Sequence, residues 1–236
     1  MFSESSQLYD LIYSSFKNYE HEAGQLSALI TQARPGARTV LDVACGTGEH
    51  ARLLANRYAL SVDGIDLDPA FVRIAQEKHP AGRFVVADMC DFHLGRQYDA
   101  VVCLFSSIGY ARTLDRVGQA IACFREHLAP GGVIIVEPWF PPGVLQDGYV
   151  SRNVGEGDGI RVERTSRTEV RDRLSWLHFD YDIVDHGRSY QASEVHELGL
   201  FTRDEMRLAF EANGLVADHD EQGLIGRGLY VARRAG

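Results

Sequence analysis

Three acidic residues stand at or near the ends of three short apolar runs, and two glycines lie just beyond the first. Asp42 sits inside TVLDV and is followed by Gly46-Thr47-Gly48; Asp66 closes SVDGID; Asp88 follows RFVVA. Glycines between a strand and a helix let a ligand lie against bare backbone N–H groups. A carboxylate at the end of the next strand, as at Asp66, can accept both hydroxyls of a ribose. A nucleoside-bearing cofactor is therefore expected. Taken alone, Gly46-Thr47-Gly48-Glu49-His50-Ala51 satisfies the dinucleotide fingerprint GxGxxG/A, and Asp66 would serve either a dinucleotide or S-adenosylmethionine. Three further features tip the balance: the Pro-Gly-Gly turn of LAPGGVIIVEP before the fifth strand, Asp88-Met89, and Asp42, since a carboxylate so placed repels a pyrophosphate but faces the amino group of an amino-acid moiety. Asp88-Met89 pairs a carboxylate with an apolar side chain, which suits an adenine ring.

The elements that must position these residues alternate. ARTVLDVAC reads as a strand and GEHARLLANRY as a helix, with Ala51, Leu54, Ala55 and Tyr58 on one face. YALSVDGID is a second strand, and Asp68-Pro69 caps the helix PAFVRIAQEKH. RFVVADM and YDAVVCLF are the third and fourth strands. A helix carrying Val117, Ala120, Ile121, Phe124 and Leu128 follows, ended by APGG, and VIIVEPWF is the fifth strand. Strands this apolar, alternating with amphipathic helices, predict a mostly parallel sheet covered on both faces. SSQLYDLIYSSF and HEAGQLSALITQA read as two helices before the first strand.

After Phe140 the pattern changes. Three β-rich segments, GIRVERTSRTEV, LSWLHFDYDIV and SYQASEVHELGL, predict an antiparallel insert. In the middle one Leu177, Phe179, Tyr181 and Ile183 face one way and His178, Asp180 and Asp182 the other, which gives one wet face. TRDEMRLAFEANGL is a helix capped by Thr202 and ended at Gly214, and VADHDEQ with GRGLYVARR would pair as closing strands. The expected division is residues 1–37 as helices closing over the cofactor and 38–140 as the cofactor-binding core. Residues 141–200 form the insert shaping the acceptor site, and 201–236 return to the core.

Composition sets the outer bounds. A net charge of -9, with no stripe of Lys and Arg, argues against nucleic acid as a partner but leaves room for one phosphorylated small molecule. Cys45, Cys90, Cys103 and Cys123 form no CxxC pair and read as reduced core residues. MFSESSQLYDLIY lacks the pattern of a signal peptide, and no apolar run approaches the length of a membrane span, so a cytoplasmic enzyme is expected. Oligomeric state is not legible.

Asp42-Val43-Ala44-Cys45-Gly46-Thr47-Gly48, Gly64-Ile65-Asp66, Ala87-Asp88-Met89 and Leu128-Ala129-Pro130-Gly131-Gly132 occur in an order that resembles the class I S-adenosylmethionine-dependent methyltransferases. The resemblance implies a Rossmann-like sheet flanked by helices, with the turn Ala44–Gly48 on the methionine portion. It implies Asp66 on the ribose and Asp88 with Met89 at the adenine, with Leu67 and Leu104 completing the cofactor set. S-adenosylhomocysteine would be the product.

A narrower resemblance covers nearly the whole chain. Leu8-Tyr9-Asp10-Leu11, Asp88-Met89-Cys90-Asp91-Phe92, Phe105-Ser106-Ser107-Ile108-Gly109-Tyr110, EPWF and Gly226-Arg227-Gly228-Leu229-Tyr230 are similar to the N,N-dimethyltransferases of nucleotide-linked amino-deoxysugars that serve antibiotic glycosylation. That family carries a doubled tryptophan where Trp139 stands alone, and Gln222-Gly223-Leu224-Ile225 departs from its usual Gly, Pro and Ser. The resemblance implies an N-methyltransferase acting on a TDP-linked amino-deoxysugar; a methyltransferase for another small amine or hydroxyl is the alternative.

Acceptor-side residues then divide between functional and structural readings. The resemblance puts Tyr110 beside the acceptor amine, for positioning or weak proton acceptance; a capping aromatic is the other reading. His196 alternates with Val195 and could reach the site as a base or sugar ligand, or be an exposed strand histidine. Arg227, between two glycines, suits a pyrophosphate or sugar contact, or is an ordinary surface arginine. Tyr9 and Tyr19 would close over the cofactor as their family positions do, or fill the core. Trp139 would stack on a nucleobase or pack, and Ser106 and Ser107 would hold substrate or cap the next helix. His178, Asp180, Asp182, Asp185 and His186 put metal-capable side chains along one strand, but their spacing matches no metal pattern, and no metal is expected.

Overall fold

The structure is a computed structural model that describes residues 8–235. Seven strands form one sheet in the order β10-β11-β5-β4-β1-β2-β3. β1 (Thr39–Val43), β2 (Ser61–Asp66), β3 (Phe84–Val86), β4 (Tyr98–Cys103) and β5 (Leu128–Val136) run parallel. β11 (Leu229–Arg234) is antiparallel to β5 and to the edge strand β10 (Leu215–Asp220), so the two predicted closing strands do pair. Between them lie α3 (Glu49–Tyr58), α4 (Pro69–Lys78), α5 (Leu114–Glu126) and α6 (Arg203–Ala212). β1, β4 and β5 are almost wholly buried because helices cover both faces, which is why they read as continuous apolar runs.

Local signals placed the helices well. The Asp68 side chain accepts the Ala70 N–H ahead of Pro69, and Thr202 forms a reciprocal capping box with Glu205. The described part of the first predicted helix is α1 (Tyr9–Ser14), and α2 (Tyr19–Ala33) begins after Asn18, whose side chain accepts the His21 N–H. The expectations for residues 1–7 lie outside the described residues.

Several boundaries differ from expectation. Tyr58 ends α3 and is 38% exposed rather than buried with Ala51 and Leu54. α5 stops at Glu126, where the His127 ring bonds the Cys123 carbonyl, so the Pro-Gly-Gly run does not end the helix. It is bulged out inside β5, between the Tyr98–Leu128 and Ala100–Val133 pairs. β3 ends at Val86, the Ala87 N–H still reaches the Asp66 carbonyl, and Asp88 then forms an isolated bridge with Asp91.

The insert forms a separate antiparallel sheet of four strands, not three: β6 (Val150–Gly157), β7 (Ile160–Arg171), β8 (Leu174–Asp185) and β9 (Arg188–Gly199). The unforeseen β6 is an edge strand whose polar, glycine-rich SRNVGEG shows no alternation. Its glycines admit α1, since a Cβ on Gly155 would sit 2.5 Å from the Leu11 carbonyl oxygen. The inner face of this sheet carries Val162, Phe179, Tyr181 and Ile183, which pack with Ile12 of α1 and with Leu8 just before it. α1 is thus wedged between the insert and the core.

Candidate active site

Parallel strands deliver their C-terminal ends to one edge of the sheet, and the acidic residues collect there. β1 turns through Ala44 (φ 57°), Gly46 (φ 55°) and Gly48 (φ 73°) into α3. A Cβ on Gly46 would meet nothing within 4 Å, so the space in front of the turn is open. Gly48 has the opposite reason to be glycine: a Cβ there would lie 2.8 Å from that of Ala75 in α4. The Asp66 carboxylate is fixed by the Gly46 N–H at 2.8 Å and the Asp68 N–H at 2.9 Å, while burial raises its pKa.

Asp42 is 2% exposed, and its Oδ2 has no hydrogen-bond partner among the described residues. Burial, and then the neighbouring Asp66 charge, push its carboxyl up to about 8. A buried carboxyl with an open oxygen fits a site that receives a cation. At Asp88 burial opposes ionisation, but the Cys90 N–H at 2.9 Å and the Arg116 guanidinium at 2.6 Å outweigh it and hold the pKa below the usual range. An acid with one open oxygen at the glycine turn, a fixed carboxylate at the end of β2, and Asp88-Met89 beyond are groups of the kind that an ammonium, a ribose diol and a purine would each need.

A cavity of about 840 Å³ runs from Gly46, Asp66 and Asp88 to the inner face of the insert at Arg164 and His196. Leu67, Met89, Ser107 and Trp139 line it, and Tyr9 and Ala44 border both this space and a smaller one beneath the turn. Tyr19, Gly46 and Leu104 line the smaller space. Tyr9 stands edge-on to Phe71, their centroids 5.0 Å apart.

At the acceptor end the Tyr110 hydroxyl lies 2.9 Å from Nδ1 of His196. Tyr110 is 37% exposed, but into the cavity, and burial raises its phenol well above the ordinary value. His196 faces inward at 2% exposure while its neighbour Val195 is 52% exposed, so the reading as an exposed strand histidine fails. Burial pushes the His196 imidazole down to about 3, leaving it neutral.

Arg227 is no ordinary surface arginine either. Its guanidinium stacks near the rings of Phe105, Trp139 and Phe140, 5.1 to 5.6 Å from their centroids, and donates to Ser106 Oγ at 3.0 Å. Ser106 itself is 1% exposed and donates to the Pro138 carbonyl, without a side-chain helix cap, so it braces Arg227 and does not face the cavity. Trp139 donates its ring N–H to Ser175 at 2.9 Å. The metal-capable strand face is solvent-facing at Asp180 and Asp182, and His178 bonds Glu169 at 3.0 Å.

Three contributors escaped the sequence reading. Arg164 is buried against Phe179 and Tyr13, donates to Asn153, and keeps Nε and Nη1 without a partner among the described residues. Strand alternation placing it with Val162 and Ser166 was the available signal. Glu137, fully buried at the end of β5, accepts the Phe105 N–H at 2.6 Å and holds the left-handed pair Phe105 (φ 51°) and Ser106 (φ 63°). Lys17, in the loop between α1 and α2, gave no motif to notice.

Comparison with known proteins places this geometry. A methyltransferase-domain family model matches residues 40–132. A dTDP-3-amino-3,4,6-trideoxy-alpha-D-glucopyranose N,N-dimethyltransferase from Streptomyces venezuelae is 37% identical over 230 residues, covering 97% of each chain. The crystal structure of DesVI from Streptomyces venezuelae superposes with a TM-score of 0.92 at 38% identity, over 97% of this chain and 98% of that one. SAM-bound CalS10, an amino pentose methyltransferase from Micromonospora echinaspora, gives a TM-score of 0.84 at 37% identity over 93% of both.

Proposed function

This chain belongs to the S-adenosylmethionine-dependent methyltransferases, among the N,N-dimethyltransferases of nucleotide-linked amino sugars, and from that premise we propose that it dimethylates the amine of a TDP-linked amino-deoxysugar. The observation that carries the reading is one cavity that joins Asp66 and Asp88 to a pair of half-buried or buried arginines, Arg164 and Arg227, set among aromatic rings, with Asp42 on the smaller space that shares Tyr9, Ala44 and Gly46 with it. A nucleoside diphosphate has the anionic and planar groups that such a lining recognises.

When bound, S-adenosylmethionine would supply an electrophilic methyl group to the amine lone pair, its sulfur leaving with the electrons of the C–S bond, and the proton lost from nitrogen would pass to solvent water. Asp42 takes the methionine ammonium, Asp66 the ribose hydroxyls, and Asp88 with Met89 the adenine. Ala44, Gly46 and Gly48 give the backbone path, Leu67 and Leu104 the apolar walls, and Tyr9 and Tyr19 the cover. Arg227, with Arg164, holds the diphosphate, and Trp139 and Ser107 border the sugar nucleotide. Residues 141–200 shape this acceptor half.

Tyr110 positions the amine by accepting one of its N–H hydrogens, and His196 holds the Tyr110 ring. A phenol raised well above 10 and an imidazole lowered to about 3 are poor bases at neutral pH, so alignment rather than proton removal is their contribution. Alignment of this kind contributes roughly 7–11 kcal/mol toward the barrier. A primary and a secondary amine each offer Tyr110 an N–H, whereas the dimethylated product offers none, which ends the sequence at two transfers.

Incubation with S-adenosylmethionine and a panel of TDP-linked amino-deoxysugars, followed by mass spectrometry, tests the reading. Gain of two methyl groups on one member is expected. Confirmed cofactor binding with no gain on any member would overturn the acceptor assignment.

A further inference from the structure

Two successive non-glycine residues in the left-handed region stand where β4 meets the acceptor half of the cavity. Phe105 (φ 51°) and Ser106 (φ 63°) keep conformations that persist only where the surroundings impose them. Glu137, the residue after β5, imposes them. Its backbone N–H donates to the Cys103 carbonyl at 2.9 Å, continuing the β4–β5 pairing, and its Oε2 accepts the Phe105 N–H at 2.6 Å. The side chain is wholly buried and lines neither the large cavity nor the smaller space.

This pair sets two groups at once. The Ser106 carbonyl accepts the Gly109 N–H at 2.9 Å and so starts the short helical turn Ser107–Ala111, which carries Tyr110. The Ser106 hydroxyl accepts from Arg227 at 3.0 Å while donating to the Pro138 carbonyl at 2.7 Å, and the Phe105 ring lies 5.1 Å from the same guanidinium. Charge adds a second link to Arg227. Oε1 of Glu137 has no hydrogen-bond partner among the described residues. Burial raises the Glu137 pKa, and Arg227 is the first charge that opposes the rise. Burial lowers the Arg227 pKa in turn, and Glu137 is the first charge that opposes the fall.

We infer that Glu137 is a positioning residue for methyl transfer: by holding the Phe105–Ser106 turn it fixes Tyr110 relative to Arg227, and so the amine relative to the diphosphate. The inference rests on the roles proposed for Tyr110 and Arg227 toward a nucleotide-linked amine. A sugar nucleotide is gripped at one end and reacts at the other. The span between the two holds therefore decides whether the lone pair meets the S–methyl axis, and an error of about an ångström there costs on the order of 100-fold.

Steady-state kinetics on the methylated panel member, with calorimetric titration of TDP and of S-adenosylhomocysteine, separates positioning from support of the fold. Glu137→Leu, which removes the acceptor, should lower kcat by roughly 30-fold or more, weaken TDP by about tenfold, and leave S-adenosylhomocysteine within about threefold. Glu137→Gln keeps the size and a neutral acceptor, so it should recover most of this and retain a loss of about threefold in kcat and in TDP affinity. In an Arg227→Met background, Glu137→Leu should weaken TDP by less than about twofold further, because the turn reaches the diphosphate only through Arg227. Additive losses in that cycle, equal loss of S-adenosylhomocysteine affinity, or Glu137→Gln behaving as the unaltered protein would each overturn the assignment. The last outcome is readable even where Glu137→Leu does not fold. An unaltered protein that binds TDP no better than thymidine would instead strike the reading of Arg227, and the assignment with it.

Discussion

A carboxyl group buried with one oxygen unmet is expensive to keep unless a ligand answers it, and Asp42 makes that expense measurable. With its pKa pushed up to about 8, most Asp42 is protonated at neutral pH in the unliganded protein. If, as proposed, Asp42 pairs with the cofactor's ammonium, the ionised form is favoured on binding and a proton is released. Affinity for S-adenosylhomocysteine should therefore rise with pH from 6 toward 8, at a limiting slope of about tenfold per pH unit, and flatten above. Asp42→Asn should remove the slope and weaken binding; a pH-independent affinity in the unaltered protein would contradict this account. Asp42 was legible in the sequence because an acid inside an apolar strand is conspicuous. Lys17 was not, because nothing local marks it until the rings and the carboxylate around it are known, and Arg164 was marked only by its alternation with Val162 and Ser166 along one strand.

Among the elements, the glycine turn and the helices it joins show how tightly local conformation is coupled to packing. Gly48 combines a positive φ with contact against Ala75, so any side chain there strains the turn and pushes α4 away from α3. Gly48→Ala should lower stability by about 1–3 kcal/mol, more than Gly46→Ala, whose Cβ would meet no protein atom but would enter the open space in front of the turn and so weaken cofactor binding. Thermal melts with and without S-adenosylhomocysteine check both. Caps and turns of this kind were readable: Asp68-Pro69, Thr202 with Glu205, and the Gly46–Gly48 turn all stand where their chemistry predicts. Edges were not. β6 has neither apolar alternation nor β-branched density, and it is a strand only because β7 offers it a ladder and α1 needs its glycines.

At the scale of the whole molecule, two sheets face one another with α1 and the large cavity between them. If the insert serves the acceptor and the core serves the cofactor, the two bindings should separate on mutation. Arg164→Met should raise KM for the nucleotide sugar by roughly tenfold or more while the dissociation constant of S-adenosylhomocysteine moves less than about threefold. Steady-state kinetics beside calorimetry reads both values, and parallel loss of the two would show that Arg164 holds the fold and not the substrate.

By itself the sequence determined the architecture of the core and the identity of its cofactor, because both are written locally: apolar strands, helical spacing, caps, a glycine turn and acids at strand ends. It also determined that an antiparallel insert follows the fifth strand. Only the tertiary structure decided which face His196 takes, that Ser106 braces Arg227, that Arg164 lines the large cavity and Lys17 the smaller one, and that Glu137 holds the Phe105 turn beside them. Those relations join residues from distant elements, and burial, charge balance and ring stacking come into being only when the two sheets and α1 are brought together.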